Sequence, residues 1–161
     1  MFAYTSKELF QIEVLFEDFW RVNPVITRNL IFEFLDLDLH KYVEQKRRDI
    51  DPYMIRDWGV HKEIIIPYLI VRLMRPKTIV ETGTGVGVSD AYILEALNRN
   101  GMQAEFYSIG KQSLNMRRFP IGYCIPDELR YGDIVKYYQY PVIIQRILPE
   151  LLEEIGDVDI F

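Results

Sequence analysis

Thr78-Ile79-Val80-Glu81-Thr82-Gly83-Thr84-Gly85-Val86-Gly87-Val88 is the stretch that decides how this chain is read. A β-branched apolar run closes on an acid, glycines follow at every second position, and a helical pattern starts at once from Ser89. The run predicts a strand over Thr78 to Thr82. The pattern predicts a helix from Ser89 to about Asn98, stopped by Asn100-Gly101. Strand, glycine turn and helix in that order bring bare backbone to a ligand at a helix N-terminus. Glycine in the turn opens φ values closed to other residues and leaves no Cβ in the way.

The spacing narrows the ligand. A dinucleotide fingerprint, Gly-x-Gly-x-x-Gly, needs a glycine where Val88 stands, which disfavours a nicotinamide dehydrogenase. A phosphate-cradling loop needs Gly-Lys-Ser/Thr after the turn, and none follows. Glu81 at the strand end would repel a pyrophosphate; it suits a ligand carrying an ammonium or a sulfonium.

Upstream, Arg75-Pro76-Lys77 turns into this strand, and a helix is expected from about His61 to Met74 after a break at Trp58-Gly59. Pro67 fits that helix only in its first turn or at a kink. The first 57 residues read as a helical extension and 58–161 as the ligand-binding domain. Ser6 is the expected N-cap of a first helix carrying Leu9, Phe10, Val14, Leu15, Phe16, Phe19 and Trp20, and Pro24 interrupts it. A second helix is expected from near Thr27 through Leu30, Ile31, Phe34, Leu35, Leu37 and Leu39 into the charged stretch before Asp51-Pro52. These helices read as a layer packed on the sheet, with a lid or a dimer surface as the alternative.

Downstream, Ala104 to Ile109 reads as a second strand, Ser113 to Gly122 as loop, and Pro126 to about Tyr138 as helix. Pro141 to Gln145 reads as a short strand, Pro149 to Ile155 as helix and Val158 to Phe161 as strand. Alternating strands and helices predict an α/β fold with a parallel sheet and crossover helices.

The 161 residues carry a formal net charge of −5 and are 49% hydrophobic. That is enough apolar content for a core, and the acidic balance argues against nucleic acid as a partner. Lys46-Arg47-Arg48 reads as a solvated helix face. Cys124 is the only cysteine, so no intrachain disulfide forms. No apolar stretch is long enough for a membrane span, and Met1 to Phe10 lacks a signal-peptide core. A cytoplasmic protein is the expectation.

Val80-Glu81-Thr82-Gly83-Thr84-Gly85-Val86-Gly87 resembles the first motif of the class I S-adenosylmethionine-dependent methyltransferases. The resemblance extends over roughly Trp58 to Phe161. Tyr107-Ser108-Ile109 is similar to the end of that family's second strand. Gly122-Tyr123-Cys124-Ile125-Pro126, Leu148-Pro149-Glu150-Leu151-Leu152 and Val158-Asp159-Ile160-Phe161 are similar to later landmarks of its small-molecule subfamily. It implies a Rossmann-like parallel sheet, S-adenosylmethionine as cofactor and a small-molecule methyl acceptor. It further implies that Glu81 sits near the methionine amino group and that Gly83, Thr84, Gly85 and Gly87 form the loop against the methionine and ribose. Ser108 and Gly110, at the end of the second strand, then lie beside the cofactor. Ser89 reads as the helix N-cap, with a cofactor hydrogen bond as the alternative.

The chain departs from that family at two places. An acid that accepts the ribose hydroxyls ends the family's second strand; Gly110 stands there, followed by Lys111. Gln112, Ser113 or Asn115 could substitute, at about 1 kcal/mol net against about 2 for a charge-assisted bond. From Thr78 to Phe161 there is room for about four strands, the N-terminal half of the family sheet. The expectation is therefore an apparently truncated chain, completed by a partner or serving as a non-catalytic binding or assembly module. An open edge at Val158 to Phe161, or the aromatic N-terminal helices, would then support a homo-oligomer.

Other residues read as structural. His40 and His61 have no ligand-spaced partners, so no metal site is expected, and His61 as a base is the minor alternative. Asp36 and Asp38 read as solvated. Tyr137, Tyr138 and Tyr140 read as core or rim before an adenine-stacking wall, and Asp127-Glu128 as dipole partners of a helix start. Cys124 has no visible activator. No residue is singled out as catalytic.

Overall fold

The computed structural model describes residues 4–50, 62–110, 119–142 and 144–161. Trp58-Gly59, His61 and the Gln112, Ser113 and Asn115 alternatives lie outside the described residues.

Three helices open the chain: α1 (Ser6–Trp20), α2 (Pro24–Leu35) and α3 (Leu39–Ile50). Thr5, not Ser6, caps α1. Its hydroxyl accepts from Glu8 N at 3.2 Å while Glu8 Oε2 accepts from Thr5 N at 2.7 Å, a reciprocal box that Ser6, three residues before Leu9, cannot close. Pro24 begins α2 instead of merely interrupting. Its missing N–H costs nothing in the first turn, and Asn23 Oδ1 accepts from Val25 N at 2.8 Å.

The expected single second helix is two. His40 Nε2 donates to the Phe34 carbonyl at 2.6 Å, adding to the backbone bond that this carbonyl accepts from Leu37 N at 3.2 Å, and Tyr92 hydroxyl donates to Nδ1 at 2.9 Å. A carbonyl only accepts, so the proton is on Nε2. Leu37 and Leu39 keep their apolar rhythm through the turn and are both buried. Asp36 and Asp38 lie exposed in that turn, Asp38 paired with Lys41 at 2.8 Å.

A 3-10 turn (Lys62–Ile64) leads into α4 (Ile65–Met74), where Pro67 occupies the first turn. Then come β1 (Thr78–Thr82), α5 (Val88–Asn100) and β2 (Ala104–Ile109). Gly87, with φ 78°, caps the start of α5 and Gly101, with φ 65°, its end. Ser89 is therefore inside the helix and is not its cap.

The chain past residue 125 departs from expectation. The helix starting after Pro126 is one turn, α6 (Asp127–Arg130), and Val135–Tyr140 is strand β3. Gly132-Asp133 breaks the helix, and the aromatic run that follows prefers a pleated surface. Pro141 and Val142 are not strand, and α7 (Ile144–Ile155) takes up Ile144 and Gln145, with Pro149 inside it.

The strands are parallel in the order β1-β2-β3. On the other side of β1, Ile160 makes a single parallel bridge to Ile79, with Val80 N donating to Ile160 O at 2.9 Å. Of the expected fourth strand this one bridge is present. Asp159 fixes it by accepting from the backbone N–H of Lys77 and Thr78 at 2.7 and 3.0 Å.

Side chains alternate across the sheet. Ile79 and Phe106 face α4, α5 and the N-terminal helices, in one core with Phe16, Ile31, Phe34, Tyr68 and Leu94. Val80, Tyr107 and Ile109 face the other way, against Leu151, Leu152 and Ile155 of α7. Both faces are covered, as a parallel sheet requires. This is a Rossmann-like α/β arrangement whose connections reverse beside β1, between β2 and the Ile160 segment. Ligands of such sheets bind at that reversal, beyond the carboxyl ends of the strands.

A clamp ties the N-terminal helices to this frame. Arg72 of α4 donates to both oxygens of Glu33 at 2.7 and 3.0 Å and also to Asn100 Oδ1, while Tyr68 hydroxyl donates to Glu33 at 2.6 Å.

Candidate functional site

The glycine turn sits at the carboxyl end of β1, next to the reversal. Gly83 continues the ladder for one bond, donating to Ile109 O at 2.7 Å, then departs at φ 105°. Gly83 is exposed and a Cβ there would meet nothing within 4 Å. This is the open side of the turn.

The far side is packed. A Cβ on Gly87 would lie 2.7 Å from Gly122 Cα and 2.8 Å from Ile125 Cγ1. Cys124 N donates to Val86 O at 2.8 Å and Gly122 N to Gly85 O at 3.3 Å. The Gly122-Tyr123-Cys124-Ile125 stretch is thus a second strap laid along the turn. Tyr123 is held in turn by α3, its hydroxyl donating to Asp49 at 3.0 Å with Lys46 Nζ over its ring at 4.5 Å. Burial pushes the Cys124 thiol up to about 12, so it is neutral and unreactive at ordinary pH.

Thr84, in mid-turn, is buried and reaches down to Ser108, hydroxyl to hydroxyl at 2.6 Å. Gly110 lies directly below it: a Cβ there would stand 2.7 Å from both Thr84 N and Thr84 Oγ1. The space a carboxylate would need at the end of β2 is filled by the turn itself.

Strand register builds the floor. Glu81, Ser108 and Gln139 are partners across β1, β2 and β3. They stand one pleat beyond the row of Ile79, Phe106 and Tyr137, and both rows face α5. Onto this polar row α5 lowers its first turn. Ser89 Oγ donates to Glu81 Oε1, and the fully buried Asp90 accepts from Tyr137 hydroxyl at 2.6 Å and from Ser108. Gln139 Nε2 reaches Tyr137 hydroxyl at 3.4 Å. Arg130 of α6 donates to Gly122 O and acts electrostatically on Tyr137.

Four buried side-chain polar atoms among the described residues have no hydrogen-bond partner. Three belong to this network: Glu81 Oε2, Asp90 Oδ1 and Arg130 Nε. Burial, and then the neighbouring Asp90 charge, holds the Glu81 carboxyl well above its usual range. Burial also raises Asp90, against hydrogen bonds from Ser108 and Tyr137. Burial and Asp90 together raise the Tyr137 phenol. A carboxyl held in this way can keep a proton or accept a cation in its place.

Of the residues singled out from sequence, Glu81, Gly83, Gly85 and Ser89 gather at the turn with part of their surface open. Thr84, Gly87, Ser108 and Gly110 lie buried beneath or behind it. Asp90, Gln139 and Arg130 carry no signal in the sequence, and Tyr137 reads there as core or rim with an adenine-stacking wall as the alternative. A helix-start acid gives no signal of its own; only the pairing register brings Ser108 and Gln139 beside Glu81. Among the described residues no group of three His, Cys, Asp or Glu side chains is placed to hold a metal ion, and no helix is long and apolar enough to cross a membrane.

No protein-family model matches the sequence, and no curated protein matches it. Among solved structures the chain is similar to the O-methyltransferase TomG from Streptomyces achromogenes, involved in tomaymycin synthesis and crystallised with S-adenosylmethionine. That match has 17% identity and a TM-score of 0.49, and covers 92% of this chain and 56% of that one. It is also similar to the methyltransferase PaMTH1 of Podospora anserina, bound to S-adenosylhomocysteine, at 17% identity and a TM-score of 0.47, over 93% and 55% of the two chains. The chain thus spans about half the length of the structures it matches. The functional reading rests on the residues around Glu81.

Proposed function

We propose that the chain binds S-adenosylmethionine at the glycine turn and belongs to a methyltransferase acting on a small-molecule acceptor. One observation carries the reading: an acid with a shielded, unpartnered oxygen, Glu81 Oε2, stands beside the open side of a glycine turn at the reversal point of the sheet. A bound ammonium would complete that oxygen's hydrogen bonding, worth about 1.5–3 kcal/mol net for a charged pair. Gly83 and Gly85 would let the methionine part approach the backbone, with Ser89 holding Glu81 in place. Thr84, Gly87, Ser108 and Gly110 would support the turn from below. The cofactor supplies an electrophilic methyl group; the protein's share is to bind and orient it. The helical part, 1–57, would brace the sheet part, 58–161, through Glu33, Arg72 and Tyr123.

A second reading has its own observation in favour. The ends of β2 and β3, Ile109-Gly110 and Tyr140-Pro141, offer no carboxylate for ribose hydroxyls, and Thr84 occupies the space at Gly110. A non-catalytic binding or assembly module is consistent with that. The same proposal includes self-association through the exposed Phe10, Phe19, Val25, Ile26 and Phe32 of α1 and α2 and a cytoplasmic location. A clean monomer by light scattering at high concentration would remove the self-association.

Calorimetric titration with S-adenosylmethionine and S-adenosylhomocysteine separates the readings. Micromolar binding that disappears in Gly85→Asp supports the first. No heat at millimolar ligand, with the fold intact by circular dichroism, ends it.

A further inference from the structure

We propose that Glu81 and Asp90 share one proton while the turn is empty, and that a cationic ligand expels it, making Asp90 a positioning residue that ties binding to proton release. The second half rests on the cofactor reading above; the first stands on the network alone. The two carboxyls, one on β1 and one in the first turn of α5, lie within hydrogen-bonding reach of each other. Each has one oxygen committed: Glu81 Oε1 takes the Ser89 hydroxyl and Asp90 Oδ2 the Tyr137 phenol. The two remaining oxygens, Glu81 Oε2 and Asp90 Oδ1, are both shielded from water and both unpartnered. One proton between them satisfies both atoms at once. Two buried like charges side by side would be far costlier.

The groups around the pair allow this. Ser89 from α5, Ser108 from β2 and Tyr137 and Gln139 from β3 are neutral. Among the described residues the nearby cation is Arg130 of α6, which is turned to the Gly122 carbonyl and acts on Tyr137. The pair therefore carries a single negative charge at neutral pH. When a ligand ammonium donates to Glu81, its charge takes the place of the shared proton. The O–H bond breaks, the proton leaves to solvent, and both carboxyls are ionised around one bound cation. Affinity below the pair's titration range then rises about tenfold per pH unit.

The test uses the full chain and S-adenosylhomocysteine, which carries the ammonium without the sulfonium. Calorimetry at neutral pH in phosphate and in Tris, buffers of different ionisation heat, is expected to report release of close to one proton. Asp90→Asn, whose amide can donate to Glu81 and leave it ionised, is expected to bind with no release and a flat pH profile. Infrared spectra of the ligand-free protein should show a protonated carboxyl band that vanishes in Asp90→Asn and in Glu81→Gln. The second variant keeps the test open if the first does not fold. Binding without buffer dependence overturns the release step alone. Silence in the calorimeter with the band present overturns the release step together with the cofactor reading, and absence of the band overturns the shared proton.

Discussion

Gly110 is where sequence and structure give opposite advice. By resemblance, an acid at this position would improve the grip on a ribose, so Gly110→Asp should tighten binding. The structure forbids it. Any Cβ here stands 2.7 Å from Thr84 N, 2.7 Å from Thr84 Oγ1 and 2.8 Å from Thr84 Cβ, and real Cβ atoms do not sustain contacts under 3.0 Å. One of these contacts is to backbone, so a rotamer change cannot relieve it. Gly110 has no left-handed φ, so Gly110→Ala isolates the steric term. Overpacking of this kind costs about 1–3 kcal/mol. For a chain of this size that lowers the melting temperature by about 2–4 °C per kcal/mol. Thr84→Gly removes two of the three contacts, so the double variant should be less destabilised than the sum of the singles, with a coupling of about 1 kcal/mol. Urea midpoints for the four proteins provide the cycle. Gly110→Asp should lose both stability and cofactor affinity. A Gly110→Ala midpoint within about 0.5 kcal/mol of wild type, or tighter binding by Gly110→Asp, would refute the reasoning.

Three further outcomes follow from other contacts. Glu33→Ala leaves the Arg72 guanidinium and the fully buried Tyr68 phenol short of their shared acceptor, and should cost about 3 kcal/mol in urea unfolding, a loss under about 0.5 being contrary to the clamp. Burial lowers the His40 pKa, against the raising effect of its Phe34 bond. The unfolded chain therefore takes up a proton as pH falls through about 6.5 while the folded one does not, and stability drops by at most about 1.4 kcal/mol per pH unit. His40→Gln should abolish that difference between about pH 7 and pH 5, and parallel pH profiles would contradict the burial argument. Because Glu81 and Asp90 are raised in the folded state, their contribution favours folding at low pH and is lost as pH rises. Asp90→Asn should then raise the unfolding midpoint at about pH 8, a gain that shrinks toward pH 4, and a lower midpoint at both values would count against the neighbouring carboxyls.

How much of this was legible in the sequence depends on whether the deciding contact is local. Both Thr78–Thr82 and Ala104–Ile109 are β-branched or aromatic runs bounded by turn residues, and they are strands as expected. Gly87 and Gly101 bound α5 by local φ preference alone. The break between α2 and α3 was hidden, because Leu37 and Leu39 keep helical spacing and the decisive bond, His40 to the Phe34 carbonyl, also needs Tyr92 from a distant helix. Likewise β3 was masked by a good helix start at Pro126-Asp127-Glu128, and only pairing with β2 makes Val135–Tyr140 extended. The turn and Glu81 could be singled out as a candidate site because glycine spacing is a chemical signature. Asp90, Tyr137 and Gln139 could not, because their role exists only once three strands are in register and a helix is set on top.

A structure of the chain with S-adenosylhomocysteine tests the central claim most directly. The account predicts the ligand's ammonium in hydrogen-bond contact with Glu81 and its amino-acid part against Gly83 and Gly85. Ligand seated away from Glu81, or a turn that stays empty at saturating concentration, would contradict it.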